Sequence, residues 1–243
     1  MKKFLKSQSL TLTALFCGIG MLFLRLSHIA TANEHGLLAT GHIGGIAASV
    51  LALLVPAVLL WQSLVLPKDN ICKFPASTPA AIGCGIAALG VGYTAMQILM
   101  HGSSNTMYLI LGLLGILATI GLVIMAGCRW QGVKTNVLCY AVVVLFFILL
   151  LIVQYQGAVM QTQLQLYAYA PVATICLMIA THNRACFDEK IGQVRLFVFF
   201  RTVSIFFSLA AMAGSALWGL YLACSIWSIM DLVNLSVTPQ EGG

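Results

Sequence analysis

The sequence predicts an all-α protein, a polytopic transmembrane bundle of about eight helices that forms one integral membrane domain over residues 1–243. Hydrophobic residues make up 60% of the chain and charged residues only 7%, whereas roughly a quarter of the residues of a soluble domain are charged. Several apolar runs reach the length of about 20 residues that a helix needs to cross hydrocarbon. Lys and Arg gather in alternate connections between these runs, as expected for a chain that crosses a membrane repeatedly.

The predicted helices follow the apolar runs, with polar or glycine-containing segments as their limits. The long run at 196–235 is about twice the length of one crossing, so we divide it near Gly214. The predicted helices cover residues 10–29, 42–66, 80–100, 107–127, 136–155, 164–181, 196–212 and 215–235.

The first run is either a spanning helix or a signal peptide, because three lysines precede it and small residues follow it at 30–32. Its length favours a spanning helix. So do Arg25 and His28, which lie between the apolar run and the small residues.

The positions of the cations predict the orientation. With eight helices, the N-terminus and the connections after helices two, four and six contain all of the 12 Lys and Arg residues except Arg25 and Arg201. Short loops rich in Lys and Arg stay in the cytoplasm. We therefore expect a multi-pass protein of the bacterial cell membrane with both termini in the cytosol. A seven-helix chain, with its C-terminal tail outside, remains an alternative.

Composition and motifs also limit the function. The net charge of +6 belongs to loops that orient the helices, so the expected partner is the lipid bilayer and not nucleic acid. The eight cysteines contain no CxxC pair or zinc spacing and are interpreted as reduced packing residues. Walker, HExxH, GxSxG and Rossmann glycine motifs are absent from the sequence, which makes an enzyme the less favoured class and predicts no catalytic residue.

Small residues recur at a spacing of four, as in Ala80, Cys84, Ala88 and Gly92. Such a stripe allows close helix packing in lipid. It fits one compact bundle, and it also fits the face of a homo-oligomer or of a partner membrane subunit.

Three segments of the chain resemble a family of uncharacterised bacterial multi-pass membrane proteins. They are RLSHIATANEHGLLATGH at 25–42, QYQGAVMQTQLQLYAY at 154–169 and CLMIATHNRACFDEKIG at 176–192. The family has an arginine, an acidic residue and GLL-x-x-GH in its first hairpin, and HRA-x-FD later. This chain differs in having Asn183 between the His and the Arg, and Ile43 where the family has proline. The resemblance implies eight helices and no particular activity.

The first outer connection and its surroundings contain most of the unusual side chains. Arg25 either reaches the outer surface along its helix or faces the bundle as an anion anchor or a partner of Glu34. The residues predicted to line an outward-facing polar pocket are Arg25, His28, Glu34, His35, His42, His101 and Tyr167.

Some of these side chains have other uses. Glu34, His35, His42 and His101 are of ligand types that bind zinc. No two outer histidines have the i, i+4 spacing of a ligand pair, so a metal site depends on the tertiary fold. The histidines also suit haem, and His101 with Tyr93 and Gln97 suits a quinone. The sequence leaves the cofactor undetermined.

Polar residues near the third outer connection have two interpretations. Gln154 and Tyr155 lie across it from Gln165, Tyr167 and Tyr169. They form either an interfacial aromatic belt or a polar cavity that opens to the outside.

Of the charged residues, only Arg25, Arg201 and Asp231 are predicted to lie within helices. Arg201 precedes Gly214 by 13 residues and Asp231 follows it by 17, so their depths differ by about one helical turn. A structural ion pair between helices seven and eight is expected. His182, Arg184 and Asp188 are expected in a cytosolic turn that is either a docking site for a partner or an ordinary helix end.

The favoured function is a carrier of a small solute or ion, or an accessory membrane subunit, with an outward-facing polar pocket. One alternative is a membrane redox subunit that binds haem or quinone through histidines. Another is a scaffold for partner subunits.

Overall fold

The structure is a computed structural model that describes residues 2–31, 42–66, 70–73, 76–101, 106–159, 168–189, 192–233 and 235–239. This part of the chain forms eight helices and two short strands. They are α1 (Lys2–Ile29), α2 (Ile43–Leu64), β1 (Asn70–Lys73), α3 (Thr78–His101), α4 (Thr106–Gln131), α5 (Val137–Val159), α6 (Tyr169–Asp188), α7 (Val194–Met212), α8 (Trp218–Val233) and β2 (Ser236–Pro239). The predicted all-α fold is confirmed.

Six of the helices close a ring. Each helix from α3 to α8 packs against the next one in the chain, and α8 packs back against α3. We call this the six-helix ring. Its interior lies between α4 and α5 on one side and α7 and α8 on the other, so side chains from distant parts of the chain meet there.

The remaining two helices pack outside the ring. Helix α1 packs against α7 and α8, and α2 packs against α1 and α7. Leu10, Ala14 and Met21 of α1 are fully buried in the apolar core that it shares with α7. Helix α7 therefore lies between the ring and the α1–α2 pair, which explains why almost all of its side chains from Arg201 to Ala211 are buried.

The two short strands pair at one end of the bundle. β1 lies between α2 and α3, and β2 follows α8; they pair antiparallel, with Asn70 opposite Pro239 and Lys73 opposite Ser236. Six helices separate the two strands in sequence, so the chain returns to the end of the bundle that it left. This pairing excludes the seven-helix alternative. We call the end of the bundle where β1 and β2 pair the basic end, because it lies beside the connections that contain Lys and Arg. Helices α2, α4, α6 and α8 all finish there.

The outer surface of the bundle is apolar, as expected for a protein in lipid. Leu53 is 77% exposed, Leu89 75% and Trp61 74%, and side chains of this kind cover the outer faces of α1 to α5. Six helices, α1 to α5 and α7, are long and apolar enough to cross a membrane. Helix α8 is apolar but shorter, with 16 residues.

Several helix boundaries differ from the prediction: α1 begins at Lys2 where residue 10 was predicted, and α5 ends at Val159 where residue 155 was predicted. Helix α4 continues to Gln131, past the predicted end at residue 127, and α6 spans Tyr169–Asp188 where residues 164–181 were predicted. The drop in hydropathy marks where each apolar run ends, but the backbone continues as helix until a residue stops it. For α4 that residue is Gly132, which adopts φ 70°, the left-handed conformation common just past a helix end. The prediction that only Arg25, Arg201 and Asp231 lie within helices was wrong, because Arg129 and Arg184 also do.

The predicted break after helix seven is confirmed. Helix α7 ends at Met212, Gly214 has φ 73°, and α8 begins at Trp218. The Ser215 hydroxyl accepts a hydrogen bond of 3.1 Å from the backbone N–H of Leu217, which satisfies a donor near the start of α8.

Candidate functional site

Near the basic end, three charged side chains meet in the ring. Arg201 of α7 lies with Nη2 2.7 Å from Asp231 Oδ2 of α8, and Arg129 of α4 donates from Nη1 to Asp231 Oδ1. Arg201 and Asp231 have no exposed side-chain surface, and Arg129 has 5%. We call Arg129, Arg201 and Asp231 the arginine cluster. The arginine cluster joins three helices. It contains the predicted ion pair of Arg201 and Asp231, and Arg129 is a third member that was not predicted.

Polar and aromatic side chains surround the arginine cluster. Arg201 Nη1 donates to Ser228 Oγ at 3.3 Å, and the Ser228 and Ser204 hydroxyls lie 3.0 Å apart. Ser204 donates to the Arg201 carbonyl, so Ser228 is the donor in the hydroxyl pair. The guanidinium of Arg201 also lies over the indole of Trp227, 4.2 Å from its ring centroid. These contacts fix the position of Arg201 on its α8 side.

A second charged group lies close to the same end. Arg184 Nη1 is 2.7 Å from Asp188 Oδ1 on the same helix, and Tyr140 of α5 donates to Asp188 Oδ2 at 2.7 Å. These residues sit in or against α6, so the prediction that Arg184 and Asp188 lie in a cytosolic turn was wrong. His182 was expected in the same turn and also lies in α6, with its side chain exposed. The i, i+4 pair of Arg184 and Asp188 helps this polar segment to remain helical.

Towards the opposite end, a neutral polar group crosses the ring. Gln154 of α5 donates from Nε2 to the Tyr221 hydroxyl of α8, and Thr174 of α6 lies with Oγ1 3.1 Å from Gln154 Oε1. Helices α5 and α8 lie on opposite sides of the ring, so this contact spans its interior. We call Gln154, Thr174 and Tyr221 the tyrosine cluster.

An apolar layer separates the two clusters. Tyr221 and Asp231 are ten residues apart on α8, which corresponds to about 15 Å along the helix axis. Trp227, Phe146 and Leu177 belong to the buried apolar core in this region, each at most 1% exposed. The ring interior thus has polar groups at two depths with buried apolar side chains between them.

Outside the ring, Arg25 is buried between helices. Its Nη1 donates to the Ala210 carbonyl of α7, and its guanidinium lies 4.4 Å from the ring centroid of Tyr169 of α6. Of the two orientations considered for the Arg25 side chain, the structure has the one that faces the bundle.

The predicted pocket histidines do not all meet. The rings of His28 and His42 are parallel, with centroids 5.6 Å apart, and His42 accepts a hydrogen bond of 3.2 Å from the Gly44 backbone at the start of α2. His101 lies on α3, which packs against α4 and α8, and its Nδ1 is 3.0 Å from the Gln97 carbonyl of its own helix. Glu34, His35 and Tyr167 lie outside the described residues. Within the described ranges, no three His, Cys, Asp or Glu side chains are close enough to hold a metal ion.

Arg129, Thr174 and Tyr221 are the important side chains that the sequence did not indicate. Arg129 was assigned to a loop because the apolar run ends near residue 127, although Gly132 offered a signal for a later helix end. Gln154 was expected to face residues of helix six, and it does contact Thr174. Its contact with Tyr221 had no local signal, because 67 residues separate the two in sequence.

No protein-family model, curated protein or solved structure matches this chain. The fold and its apolar surface define the class: this is a multi-pass helical membrane protein with buried charged and polar clusters inside its bundle.

Proposed function

We propose that this protein is a carrier of a small solute, which binds inside the six-helix ring and reaches one side of the membrane at a time. The observation that carries this proposal is the arrangement of two polar clusters about 15 Å apart on α8 with buried apolar side chains between them. Polar and charged side chains inside a membrane are costly, and they commonly mark the path of a solute or an ion.

The apolar layer favours a carrier over an open channel. Trp227, Phe146 and Leu177 are fully buried, so in the proposed mechanism a solute passes from one cluster to the other only when these side chains repack. A carrier does this by alternately loosening its two ends. The predicted outward-facing pocket near Arg25 remains part of the proposal, as the approach to the ring from the side opposite the basic end.

We further propose that the basic end faces the cytosol of a bacterial cell. Lys and Arg in short loops are retained on the cytoplasmic side. The cations of this chain gather at one end of the bundle, so a single orientation satisfies all of these loops together.

This orientation predicts the activity of topology reporters. Alkaline phosphatase inserted in the connection at 102–105 is expected to be active, because folding of the phosphatase requires the outer side. A fluorescent protein fused after Gly243, or inserted at 67–69, is expected to fluoresce in the cytosol. Alkaline phosphatase that is active when it is fused after Gly243 or inserted at 67–69 would contradict the proposed orientation.

Transport itself is testable with a panel of small solutes of different charge. Purified protein in liposomes is exposed to gradients of potassium phosphate, potassium acetate, potassium chloride, glycine or glycerol, and volume recovery is followed by light scattering. At least one solute is expected to enter faster than into empty liposomes, at a rate that saturates with concentration. Tyr221→Phe is expected to slow this entry about tenfold, because one buried hydrogen-bonding hydroxyl contributes roughly 1–1.5 kcal/mol.

Tyr93→Phe is the matched control, because the Tyr93 hydroxyl lies on the outer face of α3 and the residue is 61% exposed. It is expected to leave solute entry unchanged. The carrier proposal fails if none of the solutes enters faster than into empty liposomes, or if the two Tyr→Phe variants have the same rate. Melting temperatures of both variants confirm that the folded state is being compared.

A further inference from the structure

The arginine cluster contains more positive charge than its own acid can balance. Arg129 and Arg201 both pair with Asp231, so two guanidinium groups share one carboxylate. The neighbouring acid at this end is Asp188, whose side chain is 14% exposed and already pairs with Arg184 and accepts from Tyr140. A net positive charge in a dry interior is costly unless it is paired.

The cluster also has hydrogen-bond donors that no described residue uses. These donors are Arg129 Nε, Arg129 Nη2, Arg201 Nε and Trp227 Nε1, all of them buried. Arg129 uses Nη1 for Asp231, which leaves its Nε–H and Nη2–H. These two groups point in the same direction from one edge of the planar guanidinium. They match two oxygen atoms of one carboxylate or phosphate group.

We propose that the arginine cluster is a binding site for a compact oxyanion of the carboxylate or phosphate class, held along the Nε–Nη2 edge of Arg129. The inference rests on the proposed carrier function, since the oxyanion is then the solute that is carried. An oxyanion there balances the second guanidinium and satisfies two buried donors at once. Chloride also supplies the charge, but one atom meets the two parallel donors only through bent hydrogen bonds, whereas two oxygen atoms meet them in line.

The burial of the site favours a small anion. Arg129 approaches Asp231 from α4 while Arg201 approaches it from α7, and the indole of Trp227 covers one face of the Arg201 guanidinium. Arg129 Nε and Nη2 are buried as well. A compact oxyanion therefore suits this site better than a bulky ligand does.

The test is the thermal stability of the purified protein in phospholipid-free detergent with potassium phosphate, potassium acetate or potassium chloride at equal ionic strength. Phosphate or acetate is expected to raise the melting temperature by about 5 °C over chloride, because a ligand that binds only the folded state stabilises it. Arg129→Lys keeps the charge and removes the two-donor edge, so it is expected to abolish this difference. Arg195→Lys is the matched control at the same end, because Arg195 donates from Nε to the Leu66 carbonyl, and it is expected to keep the difference.

The site is overturned if phosphate and acetate behave like chloride in the unchanged protein, or if Arg129→Lys keeps the full difference. A parallel sample receives an anionic phospholipid in place of the soluble anions. Stabilisation by this lipid alone would overturn the assignment of a soluble anion and identify a lipid headgroup instead.

Because melting does not require transport, anion-dependent stability without flux overturns only the carrier. Flux of glycine or glycerol without anion-dependent stability overturns only the anion site.

Discussion

Replacement of Asp231 with alanine is expected to destabilise the protein by about 3–5 kcal/mol, the cost of leaving a buried charge without its partner. The change removes the carboxylate on which both Arg129 and Arg201 converge. Two like charges then remain in the ring interior without an acid between them. Unfolding in mixed micelles of detergent and sodium dodecyl sulfate, followed by circular dichroism, measures the loss.

Glu189→Ala is the control for this prediction. Glu189 pairs with Lys134 at 2.6 Å, but the two side chains are 46% and 55% exposed, and such a pair contributes at most about 1 kcal/mol. Adding Arg129→Met to Asp231→Ala is expected to restore part of the stability, since only one unpaired cation then remains. If Asp231→Ala costs no more than Glu189→Ala, the charges of the arginine cluster do not stabilise the fold.

Replacement of Gly90 with alanine is expected to cost about 1–3 kcal/mol, as overpacking of a close helix contact does. A Cβ atom at Gly90 of α3 would overlap the Cβ of Ala223 of α8, and it would lie within 4 Å of the α8 backbone at Gly219 and Leu220. None of these atoms belongs to a flexible side chain, so the two helices must move apart. This contact closes the six-helix ring, so its loss is also expected to reduce solute flux.

Gly85→Ala tests whether the effect comes from the contact. Gly85 lies in the same helix, and a Cβ atom there meets nothing within 4 Å. Both substitutions raise helix propensity equally, so the difference between them measures packing alone. Gly85→Ala is expected to change the free energy of unfolding by at most about 0.5 kcal/mol. Equal losses at the two positions would contradict the close contact between α3 and α8.

The ion pair between Arg201 and Asp231 was predictable from the sequence because both charges interrupt long apolar runs. Their distances from Gly214 set their depths, and a helix advances by a constant 1.5 Å per residue. Arg129 was not predictable in this way. It lies at the end of its apolar run, where an arginine that reaches water and an arginine buried against Asp231 have the same local sequence.

The position of α6 shows a similar limit. Its residues from Thr181 to Asp188 are polar enough to resemble a loop, but Thr181, Asn183 and Arg184 are buried in the fold. Asn183 exchanges two hydrogen bonds with the backbone of Gln193. Arg184 pairs with Asp188, which also accepts from Tyr140. A polar segment of a membrane protein can therefore continue as helix wherever the fold supplies such partners.

By itself the sequence determined the class of protein, the approximate positions of its helices and the alternate connections in which the cations gather. These properties depend on the match of each run of about 20 residues to lipid, which is local to the run. The tertiary structure alone decided which helices are neighbours, how α8 returns to α3, and that Arg129 joins Arg201 at Asp231. The physical reason is that lipid is as apolar as leucine, so an apolar helix face gains little by facing protein and gives no sign of its partner. Which helices become neighbours is decided by close contacts, such as that of Gly90 with Ala223, and by polar contacts across the ring. These contacts exist only once the helices are together.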